Sequence, residues 1–139
     1  MSCLVIEDAE DAGDTIVVRA RTRSEPAACP GCGTDTGRVH GHHERSPADV
    51  PVDGRRVVVR LRVRRLRCPV LDCPVQTFRE QVPGVLDRYQ RRTTRLTGQV
   101  GAAARGLAGR AGSRLLAALG IGVSRHTALR ARPHSCMAI

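Results

Sequence analysis

The clearest alternation of apolar and polar positions runs through RRVVVRLRVRRLRC, residues 55–68. Val57, Val59, Leu61 and Val63 fall on one side, while Arg60, Arg62 and Arg64 share the other with Val58. That is the period of a strand with one buried face. Leu66 drops out of phase, so the pattern predicts a bulge or the strand end near Arg65. Two shorter β-type runs, LVIED at 4–8 and TIVVRART at 15–22, predict a hairpin around an acidic, Gly-containing turn at 9–14. A Pro/Gly-punctuated stretch, SEPAACPGCGTDTG, then breaks regular structure. VHGHHER follows and leads through a turn at PVDG (51–54), and a further short strand is expected around Gln76–Val82.

From Asp87 onward the apolar spacing becomes helical. Leu96, Val100, Ala103 or Ala104, and Leu107 predict one helix; Ala108, Ala111, Leu115 and Leu119 predict a second that ends at Gly120. Ser124 is placed to cap a third by accepting an early backbone N–H, and Pro133 stops it.

Composition narrows what can hold this chain together. It has 139 residues with one Phe, one Tyr and no Trp, so Val, Leu, Ile and Ala must fill the core. Small domains with thin cores need a staple, and six cysteines are on offer. All 23 basic residues are arginine, and the formal net charge is +10. Ten arginines and no acid lie from Arg88 to the end, whereas residues 1–28 carry six acids against three arginines. An excess so placed points to a polyanionic partner, most simply nucleic acid. No run approaches the roughly 20 apolar residues of a membrane span, and no secretory signal pattern is present. The expected location is the cytoplasm, where paired cysteines more often bind metal than form disulfides.

Four cysteines stand as two close pairs, Cys29-Pro-Gly-Cys32 and Cys68-Pro-Val-Leu-Asp-Cys73, separated by 35 residues. Such pairs on separate turns can converge as a tetrahedral thiolate site for Zn, and Gly33 permits the tight turn that wraps it. A redox CxxC would want a βαβ setting. A zinc deaminase would want His-x-Glu before its Pro-Cys-x-x-Cys, yet here the CxxC precedes His42-His43-Glu44, and Arg67 precedes Cys68. His40, His42 or His43 could stand in for a cysteine, but four thiols already suffice. A site closed by four thiolates leaves no place for substrate, so the metal should be structural. Arg64, Arg65, Arg67 or Arg38 could offset its formal charge. Cys3 and Cys136 have no partner motif and are expected to be free.

The fold expected is α+β. A small antiparallel zinc-ribbon-like β domain spans 1–86, a helical helix-turn-helix domain 87–133 and a tail 134–139. AGRAGSRLLAALGIGVSRHTALRAR fits a helix-turn-helix, in which early residues of the second helix reach base edges in the major groove. These would be Ser124, Arg125, His126 and Thr127, with Arg130 one turn later and Arg114 on the preceding helix. Arg60, Arg62 and Arg64 are expected on phosphates.

The order of motifs resembles the N-terminal half of bacterial insertion-sequence transposases. The stretches are CPGCG, a histidine at His40, DVPVDGRRVVVRLRVRRLRCPVLDCPVQTFREQ, RRTTRL and LAGRAGSRLLAALGIGVSRHTALR. The match is to the insertion-sequence L-three family, over roughly residues 4–132. The resemblance implies that the cysteine pairs are zinc ligands and that VSRHTALR is a recognition helix. It also implies binding of double-stranded DNA at the terminal inverted repeats of an element. Family members continue into an acidic catalytic domain, whereas this chain ends at PHSCMAI. The expectation is therefore a truncated transposase that binds DNA without being an enzyme. A homodimer is compatible with this reading. A stand-alone zinc-ribbon/helix-turn-helix transcriptional regulator derived from such an element is the alternative.

Overall fold

The computed structural model describes residues 3–107 and 110–124, together with Thr127 and Arg130. The described residues are α+β, mostly strands followed by two assigned helices. Strands β1 (Leu4–Asp11) and β2 (Thr15–Thr22) form the expected antiparallel hairpin. The acids assigned to the turn instead extend β1 to Asp11. Arg19 of β2 pairs with Asp8, which faces it, at 3.9 Å and with Glu10, diagonal to it, at 3.4 Å, while Asp11 pairs with Arg55 of the later strand at 2.8 Å. Opposite charges on facing and diagonal positions favour continued pairing.

After β2 come the two-residue strands β3 (Ala27–Ala28) and β4 (Asp35–Thr36), which pair around the first cysteine turn. Strands β5 (Val39–Arg45) and β6 (Ala48–Val52) follow, then the 13-residue β7 (Arg55–Arg67) and β8 (Thr77–Arg79). Strand β7 organises the sheet. One edge pairs with β2 and then β8, the other with β6 and then β5. Between β6 and β7, Val52 pairs with Arg55 across Asp53 and Gly54, whose φ values are +52° and +71°. Two successive positive φ values make this a tight type I′ hairpin turn, at the PVDG site the sequence indicates.

Two features depart from the expected small antiparallel sheet. The pairing of β2 with β7 is parallel, joining the first hairpin to the rest through a long crossover. Strand β7 also has neither a bulge nor an end at Arg65. Val57, Val59, Leu61 and Val63 are buried on one face, and Arg64, Leu66 and then Cys68 on the other. The strand keeps its alternation, and the covered face changes, because the second cysteine turn packs over the far end. The irregularity sits in β5, between Val39 and Gly41.

Three apolar clusters follow from this layout. Ala20, Val59, Leu61 and Val63 pack beneath Val82 and Leu86, with Cys3 against them. The cysteines form a second cluster with Val75 and Phe78. Leu96, Val100, Leu116 and Ile121 form the third, seated on Ala48 and Val50 of β6.

Helix α1 (Thr94–Gly106) buries Leu96 and Val100 of the expected stripe, while residues 87–93 ahead of it are not helical. Residues just before it are committed to β6 instead: Ala48 N–H donates to the Arg91 carbonyl, and Thr93 N–H to the Ala48 carbonyl, both at 2.9 Å. Thr93 then caps the helix by accepting from Leu96 N–H. Helix α2 (Arg110–Ala118) buries Gly112 and Leu116, not the expected stripe. Leu115 and Leu119 are exposed, and Ala108 lies outside the described residues. The α2 C-terminus explains the choice. Ile121 N–H donates to the Leu116 carbonyl at 2.8 Å and Gly120 N–H to the Ala117 carbonyl at 3.0 Å, a Schellman cap with Gly120 at φ +85°. Leu116 and Ile121 then meet across the cap in the third cluster.

Candidate metal centre and basic surfaces

The two cysteine turns meet at one end of the sheet. The Sγ atoms of Cys29, Cys32, Cys68 and Cys73 all lie within 4.8 Å of one another. Cys29 and Cys73 approach to 3.7 Å, and Cys32 and Cys68 to 3.5 Å. A tetrahedral zinc with Zn–S bonds near 2.3 Å requires S···S separations of about 3.8 Å, so the donor set fits this metal in spacing as well as in softness.

Backbone geometry builds each turn. Cys29 N–H donates to the Thr34 carbonyl and Gly33 N–H to the Cys29 carbonyl, closing the first loop with Gly33 at φ +75°. Cys68 N–H donates to the Gln76 carbonyl, closing the second. Gly31 fits where the two loops touch: a Cβ there would lie 2.9 Å from Val75 Cγ2 and 3.0 Å from Cys73 Sγ. Its N–H also donates to Cys29 Sγ at 3.4 Å. Cys29, Cys68 and Cys73 are buried, while Cys32 is exposed. Hydrogen bonding to the Thr34 side chain and backbone holds the Cys32 thiol down, to about 6, whereas burial pushes Cys68 up to about 12. No histidine joins the cluster among the described residues.

Two of the four arginines expected to offset the thiolate charge, Arg64 and Arg65, are otherwise engaged. Arg64 is buried and donates through Nε and Nη2 to both Glu80 carboxylate oxygens, at 3.0 and 2.6 Å, and through Nη2 to the Glu25 carbonyl at 2.6 Å. Arg65 donates to Thr77 Oγ1 at 3.0 Å. The Arg64–Glu80 pair buttresses the metal end of the sheet from its covered face. That placement removes Arg64 from the phosphate-contacting set expected from the sequence, because a guanidinium held by three oxygens under the cysteine turn does not face a partner.

Arg60 and Arg62 are exposed on the same sheet face as Arg19 and Arg21, in register with them across the parallel pair. Arg19 and Arg21 are neutralised by β1 acids; Arg60 and Arg62 have no ion pair among the described residues, and Arg62 contacts His42 Nδ1 at 3.2 Å. Arg114 is exposed on α2. At the helical end, Ser124 Oγ accepts Thr127 N–H at 3.2 Å, and Thr127 and Arg130 are helical, with Arg130 exposed. Arg125 and His126 lie outside the described residues. No helix among the described residues is long and apolar enough to cross a membrane.

Sequence reasoning missed two structural residues. Glu80 had no local signal, lying sixteen residues from its partner. Asp49 is buried in β6, where Thr93 Oγ1 and Arg95 Nε each donate to Oδ1 at 2.7 Å and Arg95 also reaches Oδ2. It ties the sheet to the start of α1.

A four-thiolate site closed by two turns, one wrapped in a minimal hairpin, defines a zinc-ribbon type of module with a structural metal. Residues 25–73 match the family described as the zinc-finger of transposase IS204/IS1001/IS1096/IS1165. No curated protein and no solved structure matches the chain.

Proposed function

We propose that the chain binds double-stranded DNA sequence-specifically, as the N-terminal recognition part of a transposase acting at the terminal inverted repeats of an insertion element. The observation that carries this reading is the metal centre itself: four converging thiolates in a segment that matches a transposase zinc finger. Charge supports it, with +10 overall and no acid beyond Asp87. In this reading the zinc finger and the helical end are two working parts. Arg60 and Arg62 would lie along the DNA backbone, and the helix-turn-helix expected from AGRAGSRLLAALGIGVSRHTALRAR would place its second helix, capped by Ser124, in the major groove. Ser124, Arg125, His126, Thr127 and Arg130 would read bases, with Arg114 on the flanking phosphates.

The residues described contribute binding and no strand chemistry. Metal-assisted phosphoryl transfer needs free carboxylates that converge on divalent cations. Six of the thirteen acids, Glu7, Asp8, Glu10, Asp11, Asp49 and Glu80, are engaged by arginines, and the group of metal-ligating side chains that converges among the described residues is the four cysteines, closed by sulfur. Selection from a random duplex pool with the zinc-loaded chain tests the reading. A recovered motif that is lost on Arg130→Ala is expected; enrichment of no motif would overturn it.

A further inference from the structure

The sheet has a second basic surface, on the side away from Arg60 and Arg62. Arg45 faces Leu61 across β5 and β7, and Arg65 faces Arg79 across β7 and β8, on the side that carries Leu61 and Val63. Beyond the end of the apolar core this side opens into a groove of about 1240 Å³, walled by the cysteine turns and by the loop carrying Arg88, Tyr89 and Arg91. Five arginines line it against two glutamates, and Glu80 is already neutralised by Arg64. Arg45 is anchored by donating to the Asp87 and Gln90 carbonyls at 3.2 and 2.8 Å, which pins that loop to the sheet. Burial, and then the Arg79 charge, pull Arg45 below the usual guanidinium range.

Tyr89 stands at the rim of this groove. It is the chain's one tyrosine, 79% exposed, and its φ is +64°, a region that a bulky residue rarely adopts. Strain of that kind persists where the surroundings enforce it and clusters at binding sites. The Arg88 guanidinium lies 5.0 Å from the ring centroid, covering one face and leaving the other open. A basic groove with an aromatic platform beside it is how single strands are held: phosphates on arginines, an unpaired base on the ring. A duplex would present phosphates alone and leave the ring without a partner.

We infer that this groove binds a short single-stranded nucleic-acid segment, with its phosphates on Arg65, Arg79 and Arg91 and one unpaired base stacked on the open face of Tyr89. This goes beyond the duplex-binding reading and stands without it, since it uses the opposite side of the sheet. The zinc-loaded full chain is titrated into a fluorescein-labelled oligothymidylate of about twelve nucleotides, within the usual single-strand site sizes, and anisotropy is followed against salt. Tyr89→Gly, which suits the backbone and removes the ring, is expected to weaken binding about tenfold, with Tyr89→Phe close to wild type. The double variant Arg79→Ala/Arg91→Ala should lower the salt slope by about 1.4. Arg60→Ala/Arg62→Ala should leave this affinity within about twofold while weakening duplex binding. Absence of oligothymidylate binding, full affinity in Tyr89→Gly, or an equal loss in Arg60→Ala/Arg62→Ala would each overturn the inference.

Discussion

Arg64 and Glu80 form a two-oxygen ion pair beneath the metal end of the sheet, with side-chain exposures of only 9% and 13%. The pair joins β7 to the chain leaving β8, and the Glu25 carbonyl adds the stretch that enters the first cysteine turn. Hydrogen bonding to Glu80 holds the Arg64 pKa above its ordinary value. Removing one partner leaves the other buried and uncompensated. Glu80→Ala is expected to destabilise the protein by about 3 kcal/mol, measured by urea unfolding. Because Arg64 has a structural role in this account, Arg64→Met should lower stability while the folded fraction keeps its DNA affinity. A loss of affinity with unchanged stability would return Arg64 to the DNA surface.

Asp49 does the corresponding work at the other end. Burial opposes its ionisation, yet hydrogen bonds from Arg95 and Thr93, with the Val50 backbone and the Arg95 charge, hold its pKa below the usual carboxylate value. A depressed folded-state pKa contributes stability that is present above the unfolded value, about 3.9, and lost as pH falls through the folded value. Asp49→Asn should therefore cost about 2 kcal/mol at neutral pH, with the gap to wild type narrowing below about pH 4. Thermal unfolding of both proteins across pH 3 to 7, on the order of one-unit steps, reads this directly. A gap independent of pH would show that the carboxylate charge is not what matters.

Gly31→Ala should weaken zinc binding without touching a ligand. The added methyl would meet Val75 Cγ2 at 2.9 Å and Cys73 Sγ at 3.0 Å, forcing the two turns apart. Supporting changes of this kind typically cost 10- to 100-fold in metal affinity, and roughly tenfold is expected in a competition titration with a chromophoric chelator. Gly37→Ala, which meets nothing within 4 Å, is the control and should bind as wild type.

Much of the site was legible from spacing alone, because a pair of close cysteines on each of two Pro- and Gly-bearing turns encodes its own local geometry. The strands were legible wherever one face stayed buried along the whole element, as for Val57 to Val63. What escaped was decided by partners remote in sequence. Arg64 sits in an arginine-alternating run that reads as one solvated stripe; only the packing of the cysteine turn and Glu80 onto that face buries it. Leu66 did carry the signal of a second covered face, but a phase change in a strand equally suits a bulge. The parallel partnership of β2 and β7 leaves no mark on a period of two. In α2, Leu115 and Leu116 offer adjacent stripes, and the Schellman cap at Gly120 selects Leu116.

In the proposed function, DNA recognition depends on a zinc ion held by Cys29, Cys32, Cys68 and Cys73. The most direct measurement combines metal analysis of the purified chain with duplex binding before and after chelation, in wild type and Cys68→Ser. One zinc per chain is expected in the wild type, with site-specific DNA binding lost on chelation and restored by added zinc, since metal and fold are coupled in small sites. Cys68→Ser should lose both metal and specific binding. A zinc-free chain that binds its selected site at full affinity, or a Cys68→Ser chain with full zinc occupancy, would contradict the account.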